Sequence, residues 1–327
     1  MRKPRSFFSA LGSIALGLSL LSVTVAQAGS FSVVSSFGSN GTGDGQFQFP
    51  TAIAVDSSGN IYVTDDTRLQ EFTSSGTFIR TIGFGNYNEP IGVALDSSNN
   101  IYVSNYFSGG VQEYNQAGDY LRTIPTGGYP FGVVIASNDH IYAENGPSGS
   151  EHIQEFTNSG APLQNFGNPF GAFMVVDQSG NLFSPIRNAN LIREFDKNGN
   201  EVREISSSYL NGPYGIAMDK NGNIFAANYN GNSVAEFSSS GDYIQSIYTE
   251  SGSKPYNLAF DQNGNLLVAE AGNDTIVVYS DSSAQSVPEP GSGASALLGL
   301  AVLLIGTVIR DKRNKWLQAA SAVGGSH

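Results

Sequence analysis

From residue 31 to residue 280 the chain runs in short apolar segments of four to six residues, rich in β-branched and aromatic side chains. Clusters of Gly, Asn, Asp and Ser separate them. Such segments between turn-forming clusters predict strands joined by tight connections. The pattern repeats. "DSSGNIYVTD" at 56–65 returns as "DSSNNIYVSN", "ASNDHIYAEN", "DQSGNLFSPI", "DKNGNIFAAN" and "DQNGNLLVAE". Each copy follows a proline-led apolar piece such as "FPTAIAV" or "EPIGVAL", and precedes a third piece such as "LQEF" or "VQEY". A fourth piece, such as "TFIRTIG", completes most copies, and the leading prolines at 50, 90, 130, 169, 213 and 255 are 39 to 44 residues apart.

Each unit therefore predicts four antiparallel strands, and a period near forty predicts a propeller blade. The first strand is nearly all apolar, as in "AIAV", which suits burial on both faces. The third and fourth alternate, as in Leu69-Gln70-Glu71-Phe72, which predicts a sheet covered on one face and wetter on the other. The last unit stops after "IVVY" at 276–279, one strand short, while "FSVVSSFG" at 31–38 is similar to the fourth strands of other units. The expectation is an all-β, six-bladed propeller over 29–280, closed where 31–38 pairs with 276–279 so that no sheet edge stays open. The Pro-x-Gly-[IV]-[AV]-[VLM]-Asp and Asp-x-x-Gly-Asn-[IL]-[YF] pattern resembles that of NHL-repeat propellers.

Both ends read as address signals. Residues 1–28 pass from Arg2, Lys3 and Arg5 through an apolar run to Ala26-Gln27-Ala28, the order of a secretory signal cut after Ala28. After a linker at 281–293, an uncharged, mostly apolar run from Ala294 to Ile309 predicts a transmembrane helix, although its 16 residues fall short of a comfortable span. Arg310, Lys312, Arg313 and Lys315 follow, so the tail at 310–327 is expected in the cytoplasm and the propeller outside. Pro288-Glu289-Pro290, the apolar run and the basic cluster resemble the PEP-CTERM sorting tail of Gram-negative bacteria, although Trp316 to His327 extend past where such tails usually stop. That resemblance implies an exosortase-type processing enzyme as a partner, and a final place at the cell surface or in the extracellular matrix.

Charge narrows the partners. Residues 29–290 hold 9 Lys+Arg against 27 Asp+Glu, a net charge of −18, which repels phosphate backbones and argues against nucleic acid. The absence of cysteine means that packing and strand pairing, not disulfides, must close the exported ring.

Strand order places the end of each second strand around the mouth on one face. That ring is Asp65, Asn105, Asn145, Ile186, Asn228 and Glu270. Its oxygen-bearing members suit a hard cation such as calcium. The same residues equally suit capping of their own turns, the simpler account of a residue that recurs blade by blade; no metal or other cofactor is required. Tyr87, Tyr106, Tyr129 and Tyr229 lie in mouth-side loops, where flat rings beside amides suit sugar stacking; packing between blades is the alternative.

Some six-bladed relatives are gluconolactonase-type hydrolases or lyases. In the hydrolases, the resemblance implies a metal-binding Asn directly after the first-strand Pro. Here Thr51, Ile91, Phe131, Phe170, Tyr214 and Tyr256 fill that position, with Asn257 one place on. The lyases need a histidine, and of His140, His152 and His327 only His152 lies on the mouth side. The reading is a monomeric, non-catalytic binding or scaffold module for an extracellular protein or polysaccharide. The alternative is a metal-dependent hydrolase or lyase working at the mouth.

Overall fold

The computed structural model describes residues 31–83, 89–146, 152–167 and 173–282. The expected signal sequence, the Pro288-Glu289-Pro290 motif, the helix at 294–309 and the basic tail lie outside them. Among the described residues no helix is long and apolar enough to cross a membrane.

Six four-stranded antiparallel sheets follow one another along the chain. Blade one comprises Ala52–Val55, Ile61–Asp65, Arg68–Phe72 and Phe78–Ile82, running from the innermost strand outward. Blades two to five repeat the order over 90–125, 130–166, 175–206 and 213–248. Blade six takes Pro255–Phe260, Leu266–Glu270 and Thr275–Asp281 from the end of the ring, and Phe31–Phe37 from its start. This closing strand pairs along Ile276–Asp281, from Phe31 opposite Asp281 to Phe37 opposite Ile276. The expected closure is present and runs two residues past the end of 276–279, to Asp281.

The "DSSGN" turns are held by their own aspartates. Asp56 Oδ1 accepts the backbone N–H groups of Ser58 and Asn60, both at 2.8 Å, and Oδ2 accepts Asn60 Nδ2 at 2.9 Å. Asp96, Asp177, Asp219 and Asp261 do the same in their blades, and Asp196 does so in the turn between the third and fourth strands of blade four. Gly59 takes φ +86° to close the first such turn; Asn99 and Asp139, at φ 61° and 60°, replace it in blades two and three. These are the residue types that tolerate left-handed backbone.

One expectation is corrected. The third strands of blades one, two, five and six are not wetter on one face: Gln70 and Glu71 are buried along with Leu69 and Phe72, whereas Gln154 and Arg193 in blades three and four stay half-buried. Neighbouring blades and loops cover both faces of those four strands, and the outer strands are left largely open to water. The buried glutamates are held by charge and hydrogen bonds. Glu71 accepts from Tyr62 Oη at 3.3 Å and from Arg80 Nε at 2.5 Å. Arg80 also donates to Gln116 O at 2.7 Å and to Ala117 O, in the turn of the next blade. Arg122 joins Glu113 to the carbonyls of Asn158 and Ser159 in the same way, and Arg203 joins Glu194 to those of Ser239 and Ser240. Gln164 and Gln245 take the arginine's place in blades three and five, donating to Glu155 and Glu236 at 2.6 and 2.7 Å.

Blade six has no such tie, because Val278 and Ser35 occupy the register of Glu71 and Arg80. Its junction with blade one is apolar inside, where Ile53, Val63 and Phe72 meet Leu267, Ala269 and Ile276. At the edge Asp274 accepts from Asn40 Nδ2 and from Phe49 N, both at 2.7 Å.

Candidate functional site: the mouth of the propeller

The ring positions sit where expected in the strands. Asn105, Asn145, Asn228 and Glu270 pair in register with Pro90, Pro130, Pro213 and Pro255, the leading residues of the innermost strands. Yet Asp65, Asn105, Asn145, Asn228 and Glu270 are all buried, and Asp65, Asn145, Asn228 and Glu270 are hydrogen-bonded largely to nearby loops and turns. Asn228 Oδ1 accepts Asn211 N at 2.9 Å, and Nδ2 donates to Tyr209 O at 2.8 Å, stapling the loop that leads into blade five. Asn145 Nδ2 donates to Thr126 O at 3.2 Å, a matching staple on blade three.

Asp65 faces Arg68 at 3.2 Å, and Arg68 in turn donates to Thr42 O and Gln46 O at 2.5 and 2.8 Å. That pair fastens the crossing from the closing strand to blade one. Burial pushes the Asp65 carboxyl above its usual range, and the Arg68 guanidinium opposes the rise. Glu270 accepts from Asn273 Nδ2 at 3.0 Å and Tyr279 Oη at 3.3 Å, and burial raises it too.

This donor set does not fit a divalent cation. The oxygens of Asp65, Asn228 and Glu270 are engaged by their own surroundings, and the positions after the prolines present Thr51, Ile91, Phe131, Tyr214 and Tyr256. Asn257 Oδ1 accepts Ile53 N at 3.2 Å, joining blades six and one. Among the described residues no three His, Asp or Glu side chains come together as metal ligands. His140 is on the opposite face, 2.7 Å from Glu155. His152 Nε2 lies 3.4 Å from Asn145 Nδ2, and Asn145 Oδ1 is buried without a hydrogen-bond partner among the described residues. His327, Phe170 and Tyr87 lie outside the described residues.

What the mouth offers is aromatic surface, in two groups. On blades two and three, Tyr106 stacks on Tyr129 with centroids 5.2 Å apart, and Phe107 meets Tyr106 edge-on at 4.9 Å. Phe107 and Tyr129 are 55% and 41% exposed, whereas Tyr106 also packs edge-on against Phe131 of the next blade. Desolvation, then the nearby Glu89, raises the Tyr106 hydroxyl. On blades five and six, Tyr214 stacks on Tyr256 at 4.3 Å and Tyr229 contacts both rings, with Phe49 edge-on to Tyr256 at 5.2 Å. Tyr229 is thus both a mouth residue and a packing residue.

Arg187 completes this second group. Its guanidinium lies 4.4 Å over Tyr214 and 5.6 Å from the Tyr229 ring, and Nη1 donates to Tyr214 Oη at 2.6 Å. Sequence reasoning passed it over. The available signal was the break in the ring at blade four, where the second strand ends in Ile186 and Arg187 rather than in an amide or acid.

These features define a six-bladed propeller with an aromatic mouth, and solved structures share the architecture. The chain is similar to a gluconolactonase from Xanthomonas campestris (17% identity, TM-score 0.62, over 73% of this chain and 88% of that one). It is also similar to virginiamycin B lyase from Staphylococcus aureus (12% identity, TM-score 0.58, over 77% and 99%). A propeller in a nidogen/laminin complex matches over 64% of this chain and 83% of that one, at 17% identity and TM-score 0.57. At such identities the likeness is one of fold. No family model matches the chain, and no curated protein sequence does.

Proposed function

We propose that this chain is an exported, membrane-tethered propeller of NHL-like type that binds an extracellular polysaccharide at its mouth. The observation that carries the reading is the exposed platform of Phe107 and Tyr129, backed by Tyr106, on the mouth face. Solvent-facing rings in one cluster present the flat apolar surface on which the face of a sugar stacks, and nearby polar groups can take its hydroxyls. Tyr229 offers a second ring across the mouth. The export signal, the sorting tail and the processing enzyme they imply supply the address, and the acidic surface keeps nucleic acid away. The protein acts as a monomer.

The test is affinity electrophoresis of the purified protein through gels containing polysaccharides. Phe107→Ala and Tyr129→Ala should each weaken retardation by at least about threefold, since base- or sugar-sized stacking contacts are worth on the order of 1 kcal/mol. Both side chains are exposed, so melting should stay unchanged. Unaltered retardation in both variants sinks the platform.

A second reading, hydrolase or lyase, is favoured by the gluconolactonase and virginiamycin B lyase neighbours. In this chain it rests on Asn145 and His152, a buried amide oxygen without a partner beside a mouth-side imidazole. Lactone hydrolysis by the purified protein, assayed both with divalent metals present and with metals chelated, and abolished in His152→Ala, would establish it. Activity equal to that of a boiled control rejects it.

A further inference from the structure

The positive charges of this propeller are few, and just over half of them are ion-paired. Between residues 31 and 282 there are nine Lys and Arg side chains. Arg68, Arg80, Arg122, Arg193 and Arg203 each pair with a carboxylate. Lys197 and Lys220 lie in the "DKNGN" turns, on the face opposite the mouth. Neither has a described carboxylate within ion-pair distance, and on the mouth side the same holds for Arg187 and Lys254. The mouth-side pair sits at one tyrosine: the Arg187 guanidinium carbon and Lys254 Nζ are each 5.6 Å from the centroid of Tyr229.

The two cations are also held. Arg187 is half-buried, stacked on Tyr214 and bonded to its hydroxyl, which fixes the guanidinium plane. Lys254 has left-handed backbone at φ 49°, and its N–H donates to Asn232 Oδ1 at 3.2 Å. A lysine is a costly residue at such a φ, where Asn or Gly fits better. A fixed guanidinium with free donor edges, next to an ammonium and aromatic rings, is the chemistry that binds carboxylate or sulfate. In a body of net charge −18, two cations at one ring, neither with a carboxylate partner among the described residues, mark a local site rather than a general surface property.

We infer that Arg187 and Lys254 form an anion subsite at the mouth, and that the polysaccharide of the proposed reading is therefore acidic, carrying carboxylate or sulfate groups. The inference rests on that reading for its saccharide part. Tyr229 faces the sugar ring while the two cations take its charged substituent, and the Phe107–Tyr129 platform takes a neighbouring residue of the same chain.

The test uses the purified full chain in affinity electrophoresis with one backbone in three forms: dextran, carboxymethyl dextran and dextran sulfate. Polyacrylate serves as an anion without sugar. Retardation by at least one charged dextran should exceed that by dextran about tenfold, and which one it is separates carboxylate from sulfate recognition. Arg187→Gln and Lys254→Gln should each cut the charged-dextran effect severalfold and leave dextran unchanged. Lys254 is exposed, so Lys254→Gln tests the site even if Arg187→Gln fails to fold. Equal retardation by dextran and both charged forms overturns the anion subsite and leaves the polysaccharide reading standing. Retardation by none of the three overturns both. Polyacrylate matching the charged dextrans overturns the saccharide part.

Discussion

Arg80→Ala removes one of the ties that bind each blade to the next. In the native ring Arg80 makes a 2.5 Å bond to Glu71 and reaches the carbonyls of Gln116 and Ala117 in blade two. The glutamate side chain is only 7% exposed, and truncation leaves it with the Tyr62 hydroxyl at 3.3 Å. A stranded buried carboxylate and lost charge-assisted bonds together cost several kcal/mol in a dry site, but Arg80 is 34% exposed and solvent screens the interaction. The working figure is therefore about 2–3 kcal/mol. For a domain of this size that lowers Tm by roughly 4–12 °C.

Blades three and five supply the control, since they carry Gln164 and Gln245 at the same place. Arg80→Gln keeps a donor for Glu71, loses the two carbonyl contacts and should cost only about 1 kcal/mol. Urea unfolding of the purified variants, with Tm by scanning calorimetry, reads both. If Ala and Gln prove indistinguishable, or both melt within a degree of the parent, the ties do not hold the ring and the reasoning fails.

Three further outcomes follow from the same structure. Asp274→Ala should destabilise by about 2–3 kcal/mol in urea, because two loop donors lose their acceptor and alanine takes φ 56° poorly, whereas Asp274→Asn should recover part of this. Asn228→Ala leaves Asn211 N and Tyr209 O without their staple and should cost about 2–3 kcal/mol, with faster hydrogen exchange confined to 207–212. Glu270 has its pKa raised by burial, so its ionisation disfavours the fold: its contribution is fully present below the ordinary value of 4.5 and is lost as pH rises through the higher folded value. Glu270→Gln should therefore gain on the parent in urea midpoint between pH 4 and pH 7, and a constant difference across that range would contradict the assignment.

The blades were legible because each repeats the same alternation of strand and turn, and the closing strand because Phe31–Gly38 carries the pattern of a fourth strand without the other three. Burial of the third strands was not. The pattern in Leu69-Gln70-Glu71-Phe72 describes one sheet, while the cover comes from elsewhere: Gln70 lies under the loop at Gly45 and Gln46, and Glu71, on the other face, under Arg80 and the turn of the next blade. Ring positions could be found by counting, but what they hold could not: Asn228 is satisfied by Tyr209 and Asn211, which belong to a loop of no fixed pattern. Tyr214, Tyr229 and Tyr256 meet only because blades five and six are wedged together. Arg187 showed in the sequence merely as a position where the repeat failed.

The closing strand also sets an order in time. Phe31 is among the first residues of the propeller to be made and its partner Asp281 among the last, so the sixth sheet cannot be completed until synthesis of the ring is over. Joining segments about 250 residues apart carries a closure entropy of about 5 kcal/mol in an otherwise unstructured chain, and less once five blades have stacked between them. Until then blade one has an unfinished neighbour and no arginine tie across that junction. The seam between first and last blades is therefore the final part of the molecule to form, and the first place where a nascent copy could accept a strand from another chain.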